Sequence, residues 1–290
     1  MFTKHTGKGK GLHMKNSSSV LSKCIMYAVL LFTVIVSGFP IVWVIMSSFK
    51  TNVEIFSSPF SLPTSFLFSG YERAWQYCKF PTIYSNSFTI ALAATFISLV
   101  IYSMAAYVIA KYKFRGGNAL YSLFVLTLLV PTMARAQPVL RLIVDLKLYD
   151  TKTALVLVYA TSGMATCLFV LRAAFMAIPI EFSEAAWIEG AGFIKTFLMI
   201  NLPMAKSGLA TAGTLLFLAN WNEYYYAMLL TMKEANRTVP FAITYFDNTF
   251  NFDYTSMFAA LTLVIVPALI VYAVFQEQVA ASLVASGVKG

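Results

Sequence analysis

The sequence predicts an all-α membrane protein, a bundle of six transmembrane helices, and three observations carry the prediction. Of the 290 residues, 59% are hydrophobic and only 11% charged, with a mean hydropathy of +0.73. A water-facing surface needs far more charge than that. The uncharged residues are also gathered into runs long enough to cross a hydrocarbon core. Finally, the basic residues stand between those runs, where loops meet anionic headgroups. In lipid every backbone amide and carbonyl must be paired within the protein, so the spans are helices. The net charge of +9 does not indicate nucleic acid, because the cations form no single basic face.

Residues 1–23 carry Lys4, Lys8, Lys10, Lys15 and Lys23 with no acid, and read as a disordered basic tail on the cytoplasmic side. Residues 24–49 hold no charge; the run is too long for a signal-peptide core and reads as an uncleaved first transmembrane helix, with Pro40 able to kink it. Charge returns over 50–83 with Lys50, Glu54, Glu72, Arg73 and Lys79 among many aromatics, as in an exterior loop lying on the membrane or on a partner. A second span covers 80–110, and the acid-free link Lys111, Lys113, Arg115, Gly116, Gly117 is cytoplasmic in character. The third run, 116–134, is interrupted by Pro131, and an outer segment with Arg135 and Arg141 follows up to Lys152. Those two arginines either attract an anionic solute or snorkel to the interface. The fourth run, 153–171, closes at Arg172. The fifth, 207–232, holds one charge, Glu223; an outer loop rich in Phe, Tyr and Asn fills 233–253. The sixth, 254–276, ends at Glu277, and 284–290 is a short cytoplasmic tail.

Six spans place both termini on one side. With the basic tail inside, 12 of the 21 lysines and arginines fall inside and 9 outside. The same parity puts the polar interruption 179–203 in the cytoplasm. Pro179 suits a helix start, and Glu181 and Glu184 place negative charge at the positive end of the first turn. Phe182, Ala185, Ala186 and Ile188 can form an apolar stripe, Gly190 and Gly192 permit a reversal, and Phe193–Ile200 gives a second short apolar run before Pro203. Two short helices at a tight corner form a rigid knob outside the bilayer.

Catalysis on this chain is not expected. Gly7-Lys8 and Gly9-Lys10 are each followed by glycine, so no phosphate-binding G-x-x-x-x-G-K-[ST] run exists. Both histidines, His5 and His13, lie in the tail, and Cys24, Cys78 and Cys167 lack metal-ligand or disulfide spacing. No metal site is expected either. The polar feature inside a span is Trp221-Asn222-Glu223. Drawn as one helix over 207–232, it sits roughly 5 Å past the midpoint. An acid so placed costs about 3 kcal/mol on insertion scales and should face the bundle interior or water. Acid, amide and indole together suit a sugar, whose hydroxyls and apolar ring face they can contact. The same residues can instead bond neighbouring helices as polar glue. Tyr224, Tyr225 and Tyr226 fan over roughly 300° at about 100° per residue, so they cannot all line one cavity.

Glu184-Ala185-Ala186, Gly190 four residues on, Ile200, then Leu202-Pro203 resembles the EAA loop of ABC-importer permeases. Gly38-Phe39-Pro40, Ser48-Phe49-Lys50, Asn86-Ser87, Ala105-Ala106-Tyr107, Trp221-Asn222-Glu223 and the ending 285–290 are similar to the carbohydrate-type permeases of maltose-like importers. This resemblance covers residues 24–290. It implies a type I permease core over 80–283 whose loop 179–203 forms a coupling helix seated on a separate ATPase. Glu184 would be the polar contact, Gly190 the turn, and Ala185, Ala186, Ile200, Leu202 and Pro203 the remaining coupling residues, with Lys289 near the same interface. Trp221, Asn222 and Glu223 would line the translocation pathway. The implied partners are a second, non-identical permease, two ATPase subunits that bind ATP and Mg, an extracytoplasmic solute-binding protein and a carbohydrate, in a bacterial or archaeal cytoplasmic membrane. A permease for an amino acid, peptide or polyamine carries the same corner. An ion-coupled carrier would need paired intramembrane acids or bases, and Glu223 stands nearly alone.

Overall fold

The computed structural model describes residues 20–241 and 253–287. The tail over 1–19, the aromatic-rich stretch 242–252 and Lys289 lie outside the described residues. Among those residues the chain is helical without strands. Three helices are long and apolar enough to cross a membrane: α1 (Val20–Ser47), α4 (Phe80–Lys111) and α14 (Tyr254–Gly287). Three further crossings follow if each bent pair counts as one span. The first pair is α5 (Gly117–Leu126), extended by a 3-10 turn to Leu129, with α6 (Thr132–Asp145), bent by 102°. The second is α7 (Lys152–Ser162) with α8 (Met164–Met176), bent by 48°. The third is the segment Phe193–Met204 with α12 (Lys206–Trp221), bent by 78°.

Four of the spans depart from the charge-free runs that predicted them, each for a local reason. Pro131 ends the third, and 132–145 is a helix containing Pro138 where the sequence suggested an outer segment. Gly163 breaks the fourth; a Cβ there would lie 2.1 Å from Leu216 Cδ2, so this break is where α12 approaches. The fifth is not one helix over 207–232: α12 stops at Trp221 and α13 (Tyr225–Leu230) starts afresh. The sixth continues as backbone helix past Glu277 to Gly287, because hydropathy marks where lipid ends and not where hydrogen bonding does.

Helix α4 is the axis of the bundle, packed against α7, α8 and α12. Its buried positions include Ala91, Ala94, Ser98, Tyr102, Ala106 and Tyr107, and the small ones let neighbouring backbones approach. Gly208 plays the same part between α8 and α12, since a Cβ there would come within 2.3 Å of Ala174 Cβ. Breaks and prolines leave carbonyls without partners, and side chains answer them. Ala160, in the last turn of α7, accepts from Ser98 Oγ at 2.8 Å and Tyr102 OH at 3.1 Å. Pro267 in α14 frees the Leu263 carbonyl four residues back, and Tyr84 OH donates to it.

The opposite end of the bundle is tied by polar contacts. Helices α2 (Asn52–Ser57) and α3 (Ser69–Cys78) lie there, α2 opened by a reciprocal Thr51–Glu54 capping box. Arg73 of α3 donates to Asp253 at 2.8 Å and Ser256 Oγ at 2.9 Å, fixing the start of α14. Buried Lys50 donates to the Ser58 and Pro59 carbonyls, both at 3.0 Å. Asn86 donates to the Ala235 and Arg237 carbonyls at 2.8 and 2.9 Å, so the start of α4 holds the segment after α13. Asp150, at φ +58°, accepts from the Met232 and Lys233 amides at 2.9 and 3.1 Å and ties 146–151 to 231–236. Burial pushes its carboxyl up, but those amides, Asn236 and the Lys233 ammonium hold it below the usual carboxylate range.

Candidate functional site

The corner between α8 and α12 is built from α9 (Glu181–Ile188), a short α10 (Phe193–Thr196), a π turn over Phe197–Asn201 and α11 (Leu202–Met204). Glu181 and Glu184 stand in the first turn of α9, as the helix dipole favours. Its end is a Schellman closure: the Gly190 amide donates to the Trp187 carbonyl at 3.0 Å and the Ala191 amide to the Ala186 carbonyl at 2.8 Å. The closure needs a left-handed residue, and Gly190 is it, at φ +83°. Gly192, at φ −74° and ψ 173°, is extended, so the reversal does not require a second glycine.

What faces outward differs from the sequence expectation. Ala186 is 4% exposed, and Ile200 and Leu202 are half-buried, Leu202 packing on the core. These residues hold the knob to the bundle and do not cover its free surface. The apolar stripe of α9 points away from the body: Phe182 is 48% exposed and Ile188 88%. Ile194, Leu198 and Met199 add to that surface from the second limb. Glu184, Ala185, Gly190 and Pro203 are exposed, as a contact role needs.

The underside is a cluster of rings. Tyr107, fully buried in α4, lies with ring centroids 5.7 Å from Phe175, 5.6 Å from Phe193 and 5.0 Å from Phe197. Tyr112 meets Trp187 at 6.1 Å and Phe193 at 5.4 Å. Each such pair is worth about 0.5–1.5 kcal/mol beyond area burial. Lys111 donates to the Ile178 carbonyl and closes the approach to α9. Beneath α9, Ser183 and Asn201 are both fully buried, and Asn201 Nδ2 donates to Ser183 Oγ at 3.0 Å. Sequence reading missed this pair. The available signal was an amide inside an otherwise apolar 197–202 run, which must find a partner if it faces inward.

The second candidate set lies at the break in the fifth span. Trp221 is 7% exposed and stacks on Phe217 at 6.0 Å. Asn222 is exposed and donates to the Leu218 carbonyl at 2.8 Å, closing α12. The Glu223 carboxylate accepts from the Tyr226 amide at 3.0 and 3.1 Å and from the Ala227 amide at 3.2 Å. It therefore caps α13, and the carbonyl of the same residue accepts from Tyr159 OH at 3.4 Å. Glu223 is half-buried, and in this state part of its hydrogen-bonding capacity is spent on backbone. Neighbouring Asn220, missed from sequence, is the residue that bonds across helices, donating to Thr95 Oγ1 of α4 at 3.2 Å. Tyr224 stands just before α13 and makes no side-chain cap bond, and of the three tyrosines only Tyr226 is buried. Arg172 lies over the Tyr121 ring, 4.3 Å from its centroid, and joins α8 to α5.

The sequence profile of binding-protein-dependent transport system inner membrane components matches residues 102–284. The chain is 31% identical over 260 residues to the diacetylchitobiose uptake system permease NgcG of Streptomyces coelicolor, covering 89% of this chain and 86% of that protein. It is 30% identical over 253 residues to the trehalose transport system permease SugB of Mycobacterium tuberculosis, covering 87% and 92%. Among solved structures, a bacterial ABC transporter that imports the acidic polysaccharide alginate superposes with a TM-score of 0.76, at 24% identity over 89% of this chain and 98% of that one. The alginate transporter in complex with its pentasaccharide-bound periplasmic protein gives a TM-score of 0.64 at 17% identity, over 88% and 94%. These structural likenesses concern the fold.

Proposed function

The chain belongs to the family of binding-protein-dependent transport system inner membrane components, and from that premise we propose that it is the gate through which an ATP-driven importer takes up a sugar or oligosaccharide. Permeases of this family leave ATP hydrolysis to another subunit. The carbohydrate assignment rests on the relatives: NgcG and SugB are named for diacetylchitobiose and trehalose transport.

The observation that carries the coupling reading is the corner over 179–203. Its underside is bound to α4 and α8 by rings, while Phe182, Ile188, Ile194 and Met199 remain exposed, as does Glu184. A rigid knob with an apolar face and a polar rim is suited to a groove on a partner. That partner is one of two ATPase subunits carrying ATP and Mg. A second permease completes the pore, and an extracytoplasmic binding protein delivers the sugar to the end where Asp150, Arg73 and Lys50 order the loops. Both termini and the corner are cytoplasmic.

In this mechanism ATP draws the ATPase dimer together, the knob follows, and the bend at Ala205 passes the motion into α12. Its far end is Trp221-Asn222-Glu223. The hinge there, between α12 and α13, is where sugar hydroxyls meet Asn222 and Glu223 as the spans rock. The test is to purify the complex from its native membrane, identify the copurifying subunits, and screen carbohydrates, each with the binding protein, for stimulated ATP hydrolysis. Copurification of an ATPase and stimulation by one sugar class are expected. A complex without an ATPase, or uptake that follows the proton gradient alone, overturns the proposal.

A further inference from the structure

The corner's second limb contains a feature that its contact role does not require. Residues Phe197–Asn201 form a π turn, in which the Leu202 amide reaches back five residues to the Phe197 carbonyl. Such turns carry one residue more than an α-helix, and they recur at functional positions. Here the extra residue rotates Asn201 beneath α9. Its Nδ2 donates to Ser183 Oγ at 3.0 Å on the first limb and to the Thr196 carbonyl at 3.3 Å on its own limb. Ser183, Thr196 and Asn201 are all fully buried. Asn201 Oδ1 is also buried and has no donor.

We propose that Asn201 and Ser183 are positioning residues for coupling: a polar bolt that locks the two limbs of the corner into one lever. This deepens the proposed function and rests on it. Stability alone would not place an amide here. A buried oxygen without a donor is costly, and an apolar pair at 183 and 201 would bury no such oxygen. What an apolar residue cannot supply is direction. Apolar contacts permit α9 to slide over the π turn, whereas a hydrogen bond between two fixed backbones defines one register. A push received on the outer face of α9 would then reach α12 without being absorbed in the corner.

The test uses the full-length chain in the copurified complex. Glu181 and Lys195 are exposed, one on each limb, and neither belongs to the candidate contact set. Spin labels at E181C and K195C, in a chain with Cys24, Cys78 and Cys167 replaced by alanine, report the distance between limbs by pulsed electron resonance. Wild type should give one narrow distance, the same with ADP and with ATP. The double variant Asn201→Leu with Ser183→Ala, which leaves neither group without its partner, should keep the melting temperature of the complex close to wild type. In Asn201→Leu, and in Ser183→Ala, the population at other distances should rise about tenfold, equivalent to about 1.4 kcal/mol. Ser183→Thr, which keeps the hydroxyl, should restore the narrow distribution. A narrow, wild-type distribution in both Asn201→Leu and Ser183→Ala overturns the inference; if Asn201→Leu does not assemble, Ser183→Ala decides alone. Failure of the wild-type chain to copurify with an ATPase overturns the importer reading instead, and the distances can still be measured on the permease alone.

Discussion

Gly190 offers a test in which sterics and backbone strain separate cleanly. A Cβ built on it meets nothing within 4 Å, so no side chain is excluded by crowding. What opposes substitution is φ of +83°, which the Schellman closure imposes. A residue with a Cβ pays roughly 1–2 kcal/mol in the left-handed region, and asparagine pays least because its side chain can bond locally. A β-branched residue there is a true outlier. The expected order of damage is therefore Asn, then Ala, then Val. Val would cost on the order of 2–3 kcal/mol and shift the corner's population by a factor of about 30 or more. The assay is the amount of ATPase subunit retained on the purified permease, with the melting temperature of the permease alone as control. The bundle does not depend on this turn, so retention should fall in that order while melting changes little. Retention at the wild-type level with Val would refute the argument from φ. Loss with Asn as great as with Val would mean that the partner reads the missing side chain itself.

Other expectations follow from the same contacts. Gly208→Val should separate α8 from α12, because the added carbon meets Ala174 at 2.3 Å. A cost of about 1–3 kcal/mol is expected, read as lower melting temperature and lower yield in detergent. Tyr84→Phe should cost about 0.6–1 kcal/mol through loss of the donor to Leu263, and Pro267→Ala, which restores an amide donor, should remove most of that cost. A double-mutant cycle with strictly additive effects would contradict the pairing. Asp150 and Asp253 bear on acid stability. At Asp253 burial pushes the carboxyl up, but Ser256 and Arg73 hold it below the usual range; Asp150 is depressed likewise. A depressed carboxyl stabilises fully above its unfolded value near 3.9 and loses that contribution as pH falls through its lower, folded value. Melting of the wild type should thus fall with acidification below about pH 4, and Asp150→Asn with Asp253→Asn should flatten that acid limb. An unchanged acid limb would remove both contacts from the account.

How much of this was legible in the sequence depends on the range of the cause. The helical membrane fold was, because uncharged runs of spanning length report the surrounding solvent directly. Gly190 was legible too, since a reversal between two short amphipathic segments demands one residue with positive φ. The breaks at Gly163 and Asn222–Tyr224 were not. Hydropathy records what a segment can dissolve in and carries no information about the direction of its axis. The fifth run therefore read as continuous although α12 and α13 are separate helices. The facing of the corner was misread for the same reason. The resemblance set Ala185, Ala186, Ile200 and Leu202 together, yet Ala186 turns inward and Leu202 packs on a core drawn from helices distant in the chain.

The breaks also explain why the polar residues of the spans cluster as they do. A broken helix in lipid exposes carbonyls on one side of the gap and amides on the other, and each must be answered within the bundle. At Gly163 the carbonyl side is answered by Ser98 and Tyr102. At the α12–α13 gap the amide side is answered by Glu223. Glu223 can therefore be read as the cap that makes a hinge affordable at the end of α12. Under the proposed function the structural and pathway roles of this residue need not compete. A hinge that opens must release the cap, and a released carboxylate needs new donors, which sugar hydroxyls can supply. Glu223→Gln keeps the shape and one acceptor oxygen but weakens the cap by removing the charge. It should shift the hinge toward its open form while reducing sugar-stimulated hydrolysis. A variant with full stimulation and an unchanged hinge, measured by the accessibility of a cysteine at Asn222, would leave Glu223 with no part in either.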